Sequence, residues 1–270
     1  MNLNISKTGR DTMDQKYLPT SEKLLSTFDG GVLTISFNRP EAMNALRPEM
    51  LIGLAELVGK ASEDESVSVI VLRGEGRAFS AGVDLKVLQD IEPAYGRIGD
   101  LFDGPAKLAY TAIRNCNVPV IAKVHGACFT GALELALHCD LIYTTECTKF
   151  GDTHTRFGLR PTWGMSQTLS QAIGVRKAKE LSYTARVVKG QEAEQLGIAN
   201  KCVEGPEELD TLVAKRAAEI AGNSRAAIAA MKDLYRIAQQ GYSIEDALDK
   251  ELTTEYTGIM DTAERLAEFR

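Results

Sequence analysis

Alternating apolar and polar positions near the start of the chain predict a β-hairpin. Residues 24–28 and 32–37 form two such runs, and the turn sequence Asp-Gly-Gly lies between them. A short glycine-containing turn of this kind joins neighbouring antiparallel strands. Leu33, Ile35 and Phe37 then share one face of the second strand, and we expect that face to be buried.

Helical and extended patterns alternate from there to residue 203. Apolar residues recur three and four positions apart after Leu46, which predicts a helix. Short runs rich in β-branched residues predict buried strands. We expect strands at 67–72, 118–124, 141–144, 148–151 and 198–203, and helices at 107–116, 132–138, 167–173 and 176–183. This alternation predicts an α/β core.

Two stretches depart from the alternation. Residues 87–105 are rich in glycine and proline, and we interpret them as a mobile flap over a pocket. The last quarter of the chain has no further strand and predicts three amphipathic helices. The first covers 207–221, the second is capped by Ser224, and the third begins at the capping box Ser243-x-x-Asp246. Their apolar faces need a partner surface.

The segment 120–140 places a carboxylate in an apolar helix. It begins as a β-branched strand, is broken by glycine, and is apolar on nearly every face of 132–138 except at Glu134. A buried carboxylate is rare unless it is paired or has a chemical role, the alternative being a simple helix cap. The helix dipole stabilises its ionised form, and unpaired N–H groups near Gly131 can face a ligand. Such donors beside a carboxylate can stabilise an enolate or oxyanion.

A second segment, 76–85, has the same arrangement. It runs from the strand expected at 67–72 through glycines to a helix start that carries Asp84 in its first turn. Two strand-to-helix turns with exposed N–H groups could hold one oxygen atom from two sides.

Composition and charge argue against several classes of function. The 270 residues are 44% hydrophobic and 25% charged, as in an ordinary globular enzyme. The net charge of −6 argues against a nucleic-acid surface, and no apolar run approaches the ~18 residues of a membrane span. Five cysteines without CxxC spacing indicate reduced thiols in a cytoplasmic protein. The first 20 residues lack the apolar segment of a signal peptide, and we expect a flexible leader.

Two motifs together resemble the crotonase superfamily of enoyl-CoA hydratases and isomerases. Phe-Ser-Ala-Gly-Val-Asp-Leu stands at 79–85, and Thr-Gly-Ala-Leu-Glu-Leu-Ala follows at 130–136. The similarity continues at 139–140, 150–151, 158–161 and 193–197 and covers roughly residues 25–265. It implies a spiral of β-β-α units at 21–205, after a leader at 1–20. It also implies that the helical region at 206–270 packs subunits into homo-oligomers, either trimers or hexamers.

The same resemblance implies a set of site residues. The backbone N–H groups of Val83 and Gly131 match the oxyanion hole that binds a thioester oxygen, and Glu134 matches one of two catalytic glutamates. Positions that match the coenzyme A pocket are Ala42, Ala81, Asp84 and Leu85. Arg39 either approaches the coenzyme A phosphates or is a solvated surface charge.

His154 is the main departure from the family, because hydratases have their second glutamate there. Asp152, two residues earlier, would point the same way on an extended segment, so either side chain could replace the missing acid. Histidine, with an ordinary pKa near ~6.5, can give a proton at neutral pH, whereas aspartate near ~3.9 would need a large upward shift. His154 is therefore the better candidate.

The resemblance implies an acyl-CoA enzyme that stabilises a thioester enolate, most readily an enoyl-CoA hydratase. With one glutamate absent, isomerase, hydrolase and decarboxylase activities stay open. A non-enzymatic, RNA-associated scaffold would need a basic helix, which we do not find. We expect no permanently bound cofactor, since coenzyme A is part of the substrate. No metal is expected either, because the histidines lack ligand spacing; His125 and His138 are expected to be structural.

Overall fold

The computed structural model describes residues 15–89 and 92–267. Its strands are β1 (Leu24–Asp29), β2 (Val32–Phe37), β3 (Val69–Gly74), β4 (Val120–Val124), β5 (Ala127–Phe129), β6 (Leu141–Thr145), β7 (Lys149–Gly151), β8 (Val188–Lys189) and β9 (Lys201–Val203). Its helices are α1 (Pro48–Glu63), α2 (Leu85–Leu88), α3 (Asp100–Asn115), α4 (Gly131–His138), α5 (Met165–Ile173), α6 (Val175–Thr184), α7 (Gly190–Leu196), α8 (Pro206–Ala221), α9 (Arg225–Ala238), α10 (Ile244–Thr253) and α11 (Thr262–Ala267). Short 3-10 helices cover Gln15–Tyr17, Pro40–Ala42 and His154–Phe157.

The strands form two sheets. The larger has the order β1-β2-β3-β4-β6-β9, antiparallel at β1–β2 and parallel elsewhere. The smaller has the order β5-β7-β8. Gly30 and Gly31 have φ of 55° and 80°, as a two-residue type I′ hairpin turn requires. The predicted hairpin and the predicted α/β class are confirmed.

Helices cover the larger sheet on both faces. Along β3, Val69 and Val71 pack in a cluster with Leu209 of α8. Ile70 and Leu72 point to the opposite face and pack in the main core together with residues of α1 and α3. Burial on both faces explains why β3 and β4 are almost entirely apolar in sequence.

The segment interpreted as a flap is shorter than expected, because α3 begins at Asp100 and not at residue 107. Asp100 and Asp103 in its first turn interact favourably with the positive end of the helix dipole. Pro105, at the end of the segment expected to be irregular, lies in the second turn of this helix. One proline near a helix start removes one hydrogen bond there, and the rest of the helix forms normally.

The expected leader at 1–20 lies partly outside the described residues. Within the described part, Tyr17 is buried, with its ring centroid 5.5 Å from that of Phe28. Its hydroxyl donates a hydrogen bond to Asp64. A flexible leader is therefore wrong for Tyr17, because a buried aromatic ring fixes this part of the chain on the core.

The C-terminal helices divide into two groups. α8 packs on the larger sheet through Leu209, Val213 and Ala217. The next helix, α9, is attached largely through polar contacts: Arg225 donates to the carbonyl oxygens of Ser62 and Val67 at 2.9 and 2.8 Å. Apolar side chains that are 50–85% exposed follow at Met231, Tyr235, Ile244, Leu248, Leu252, Met260 and Leu266. The uncovered apolar side chains thus begin in α9, whereas α8 packs on the larger sheet.

Gly126 lets two segments of the site approach each other closely. It has φ of 67°, and a Cβ there would lie 2.0 Å from the carbonyl oxygen of Arg77. On either side of this contact, Phe79 N–H donates to His125 O at 2.8 Å and Ser80 N–H donates to Ala127 O at 3.0 Å. The close approach thereby fixes the segment that leads to Val83.

We expect Gly126→Ala to lower the melting temperature more than Gly30→Ala. Both positions have positive φ, so alanine is strained by about 1–2 kcal/mol at each. A Cβ at Gly30 meets no atom within 4 Å, whereas at Gly126 it would overlap a backbone oxygen. Thermal unfolding followed by circular dichroism checks this, and equal losses would contradict the importance of the close approach.

Candidate active site

A cavity of about 280 Å³ lies between the two motif segments. Val83, Gly131, Glu134 and His154 all line it, so the structure brings these four predicted residues together. The cavity is otherwise lined largely by apolar side chains, among them Leu85, Leu88, Ile98, Phe129, Leu159 and Trp163. An apolar wall with a few convergent polar groups is the usual form of a small-molecule site.

Hydrogen bonds on both sides of Val83 leave its own N–H free. Leu46 N–H donates to Gly82 O at 2.7 Å, and Asp84 N–H donates to Leu46 O at 2.9 Å. Neither Val83 N–H nor Gly131 N–H has an acceptor within the described part of the chain. A Cβ at Gly82 would lie 3.8 Å from Gly131 N, so the two free donors belong to neighbouring backbone segments. They could bind one oxygen atom together.

The start of α4 has an unusual backbone. Thr130, which precedes the helix, has φ of 51° and ψ of −110°, and its N–H donates to Gly151 O at 2.8 Å. Gly131 follows, and a Cβ there would lie 2.5 Å from the indole ring of Trp163. Sparsely populated backbone conformations of this kind cluster at functional sites.

Glu134 is 1% exposed and does not cap its own helix. Its Oε1 accepts hydrogen bonds from the N–H groups of Trp163 at 3.1 Å and Met165 at 3.0 Å. Burial raises the pKa of Glu134 to about 7, against the lowering effects of the His154 charge and of the two N–H bonds. The carboxylate can therefore exchange a proton near neutral pH.

His154 lies between two carboxylates. Its Nδ1–H donates to Asp152 Oδ1 at 2.7 Å, and its Nε2 is 3.7 Å from Glu134 Oε2. Bonding of Nδ1 to a carboxylate fixes the imidazole so that Nε2 faces Glu134. His154 is 8% exposed and Glu134 is 1% exposed, so the pair is largely shielded from solvent.

Asp152 does not point the same way as His154, and that expectation is wrong. His154 begins a 3-10 helix instead of continuing a strand, so Asp152 turns back to accept the backbone N–H of His154 at 3.2 Å as well. Burial alone would raise the pKa of Asp152, but hydrogen bonds from His154 and Ser182 outweigh it and lower the pKa. Asp152 is absent from the cavity wall and supports His154 from behind.

Only two of the four residues expected at the coenzyme A pocket line this cavity. Ala81 and Leu85 line the cavity, whereas Ala42 and Asp84 do not. Asp84 caps α2 by accepting Lys86 N–H at 3.1 Å, and it is 2.9 Å from the guanidinium of Arg39. The Arg39 side chain is 13% exposed, so its interpretation as a solvated surface charge is wrong.

The other two histidines, His125 and His138, make hydrogen bonds to backbone carbonyl groups. His125 Nε2 is 2.8 Å from Gly76 O and His138 Nε2 is 2.7 Å from Trp163 O, which confirms both as hydrogen-bonded histidines. Over residues 15–89 and 92–267, no cluster of three possible metal ligands occurs. No helix in these ranges is long and apolar enough to cross a bilayer.

Trp163 is the residue that the sequence analysis missed. It is the single tryptophan of the chain, is 2% exposed, and contacts both Gly131 and Glu134. The only sequence signal is its rarity, because no periodic pattern indicates that its ring packs against Gly131, 32 residues earlier.

Comparisons with known proteins agree on one family. Residues 27–266 match the family described as enoyl-CoA hydratase/isomerase. A probable peroxisomal enoyl-CoA hydratase of Arabidopsis thaliana is 38% identical over 192 residues, 71% of this chain and 68% of that protein. A peroxisomal Delta(3,5)-Delta(2,4)-dienoyl-CoA isomerase of the same plant is 31% identical over 246 residues, 88% of each.

The fold agrees with solved structures of this family. The crystal structure of an enoyl-CoA hydratase from Mycobacterium smegmatis is similar with a TM-score of 0.83 and 34% identity, covering 93% of this chain and 98% of that chain. The predicted crotonase-like α/β fold with C-terminal helices is therefore confirmed.

We expect Glu134→Gln to stabilise the protein more at pH 8.5 than at pH 5. The folded state holds the Glu134 proton up to about pH 7, whereas the ordinary value is 4.5. Folded protein therefore binds more protons between these values, and this contribution to stability falls as the pH rises through that window. Glutamine keeps an oxygen for both N–H bonds and does not titrate.

Melting temperatures of wild type and variant at both pH values check this. Exposed Glu56 in α1 supplies the matched control Glu56→Gln, for which we expect the same difference at both pH values. A pH-independent effect of Glu134→Gln would show that the raised pKa is absent.

Proposed function

Because the chain belongs to the enoyl-CoA hydratase/isomerase family, we propose that it adds water to the double bond of a 2-enoyl-CoA thioester. The observation that carries this proposal is the pair formed by Glu134 Oε2 and His154 Nε2, 3.7 Å apart in the cavity that Val83 and Gly131 also line. Hydration needs one group that takes a proton from water and one that gives a proton to carbon, and this pair supplies both.

The thioester oxygen binds first, in the proposed mechanism. It accepts hydrogen bonds from Val83 N–H and Gly131 N–H, which have no other acceptor in the described part of the chain. Negative charge develops on this oxygen as the enolate forms, and the N-terminus of α4 stabilises it further. The donors are backbone groups, so valine at position 83 serves as well as a smaller residue.

Glu134 and His154 then divide the proton transfers. Glu134 Oε1 is occupied by two backbone N–H groups, so Oε2 remains to accept a proton from a water molecule. The hydroxide of that water bonds to the β-carbon, while protonated His154 gives a proton from Nε2 to the α-carbon. The proton on Glu134 passes to His154 across their short separation, which restores the starting state. Asp152 stabilises the imidazolium form throughout.

Double-bond isomerisation is the second candidate. It needs only that a proton leave one carbon and return to another, so the Glu134–His154 pair could carry it on the same oxyanion hole. The similarity to a dienoyl-CoA isomerase over 88% of the chain favours keeping this alternative. No permanently bound cofactor enters either reaction.

We expect Glu134→Gln and His154→Ala each to lower the turnover of crotonyl-CoA by at least ~100-fold, the scale of a positioned acid or base. His154→Glu should retain part of the activity, because it restores a side chain that can give a proton. Loss of the enone absorbance measures the rate. His125→Ala is the matched control, since His125 is hydrogen-bonded but lies outside the cavity wall.

Two outcomes would contradict the assignment. Hydration at the wild-type rate by His154→Ala would remove His154 from the mechanism. A wild-type enzyme that leaves crotonyl-CoA unchanged but converts a 3-enoyl-CoA, seen as a gain of the same absorbance, would favour isomerisation instead.

We also propose that the chain forms a trimer or a hexamer through α9, α10 and α11. These helices carry the exposed apolar residues named above, and exposed apolar stripes of this kind mark subunit contacts. Multi-angle light scattering should give three or six times the mass of one chain. Leu252→Asp, at a side chain that is 84% exposed, should weaken the assembly. A stable monomer at micromolar concentration would contradict the proposal.

A further inference from the structure

Trp163 lines the cavity beside both Gly131 and Glu134. Its backbone N–H donates to Glu134 at 3.1 Å, and its indole ring reaches back to Gly131, where a Cβ would lie 2.5 Å from Cζ3. The residue therefore spans the distance from an oxyanion donor to the carboxylate. A substrate with its oxygen at Gly131 and its β-carbon near Glu134 meets the indole with the next atoms of the chain.

Neighbouring residues hold both the indole and the backbone of Trp163 in place. Its Nε1–H donates to Asp103 Oδ1 at 3.3 Å, and Asp103 in turn accepts from Arg97 at 2.8 Å. The ring centroid is 6.5 Å from that of Phe102. The carbonyl oxygen of Trp163 accepts from His138 Nε2 at 2.7 Å. Rotation of the ring out of the cavity would break the Nε1–H bond to Asp103 and the packing on Phe102, so the indole forms a fixed part of the wall.

The cavity wall is unevenly exposed. Leu85 and Phe157 are each 56% exposed, whereas Trp163 is 2% and Ile98 is 9% exposed. In a cavity of about 280 Å³, the indole fills space beside Gly131 and Glu134 that a smaller side chain would leave to the acyl group.

We propose that Trp163 is a specificity-determining residue that restricts this site to short-chain acyl-CoA thioesters. The inference rests on the proposed function, because it takes the thioester oxygen to bind at Val83 and Gly131.

The proposed limit on acyl-chain length can be tested by measuring the affinities for two saturated thioesters, which does not require turnover. Isothermal titration calorimetry with butanoyl-CoA and decanoyl-CoA should show at least 10-fold tighter binding of the shorter ligand by the wild type. Trp163→Ala should bring the two affinities within about threefold, because added methylenes then gain apolar contacts. The kcat/KM ratio for crotonyl-CoA against 2-decenoyl-CoA should change in the same direction. Trp163→Phe, which keeps a ring, should give an intermediate result and serves if the alanine variant does not fold.

Tyr183→Ala is the matched control. Tyr183 is an aromatic residue that is 70% exposed and lies outside the cavity wall, so its removal should leave the length preference of the wild type unchanged. Trp163 also supplies the only indole fluorescence of the chain, and butanoyl-CoA should change its emission in the wild type.

The binding and turnover measurements distinguish the hydratase proposal from the proposed limit on acyl-chain length. Equal affinity of the wild type for both thioesters would overturn the size limit, and so would a folded Trp163 variant with an unchanged preference. If the wild type hydrates neither enoyl thioester but still prefers butanoyl-CoA, and the Trp163 variant loses that preference, the hydratase proposal fails while the size limit stands.

Discussion

The candidate site depends on the way three backbone segments meet at Gly82. Leu46 pairs with this segment on one side, and Phe129 N–H donates to Ser80 O on the other at 3.3 Å. Gly82 has φ of 92°, and a Cβ there would lie 2.7 Å from Phe129 O. Because the neighbouring backbone groups are hydrogen-bonded to each other, the N–H of Val83 is the donor that stays without an acceptor in the described part of the chain. The free N–H group of the candidate site is thus a consequence of the hydrogen bonds around it.

Burial of the Glu134 carboxylate lowers the stability of the folded state but suits the proposed chemistry. A buried carboxylate without donors would be very unfavourable, and the N–H groups of Trp163 and Met165 reduce that penalty. They do not remove it, since the pKa stays at about 7. A carboxylate with such a pKa changes protonation state near neutral pH, which a well-solvated glutamate would not do. Under the proposed function, the remaining penalty of burial is what places the pKa of Glu134 in the range that the chemistry uses.

Much of the fold and part of the site could be predicted from local sequence. The hairpin turn requires positive φ at Gly30 and Gly31, and the apolar runs of β3 and β4 require burial on both faces, so both elements could be recognised. Val83, Gly131 and Glu134 stand in motifs whose spacing is itself the signal, and the cavity brings them together.

The features that could not be predicted depend on contacts between distant residues. The direction of Asp152 is set by a 3-10 turn that the alternation of residues does not reveal. The burial of Tyr17 depends on Phe28 and Asp64, and the position of the Trp163 ring depends on Asp103 and His138. Single residues of this kind carry no periodicity, so their surroundings appear only in the folded chain.

Two carboxylates in different environments hold the His154 side chain. Glu134, His154 and Asp152 form one contiguous set, with 3.7 Å from Glu134 Oε2 to His154 Nε2 and 2.7 Å from His154 Nδ1 to Asp152 Oδ1. Hydrogen bonds lower the pKa of Asp152, so it stays an acceptor and fixes Nδ1 as the donor. Burial instead raises the pKa of Glu134 to about 7. Asp152 therefore orients the imidazole, and Glu134 is the carboxylate of this set that can exchange a proton near neutral pH.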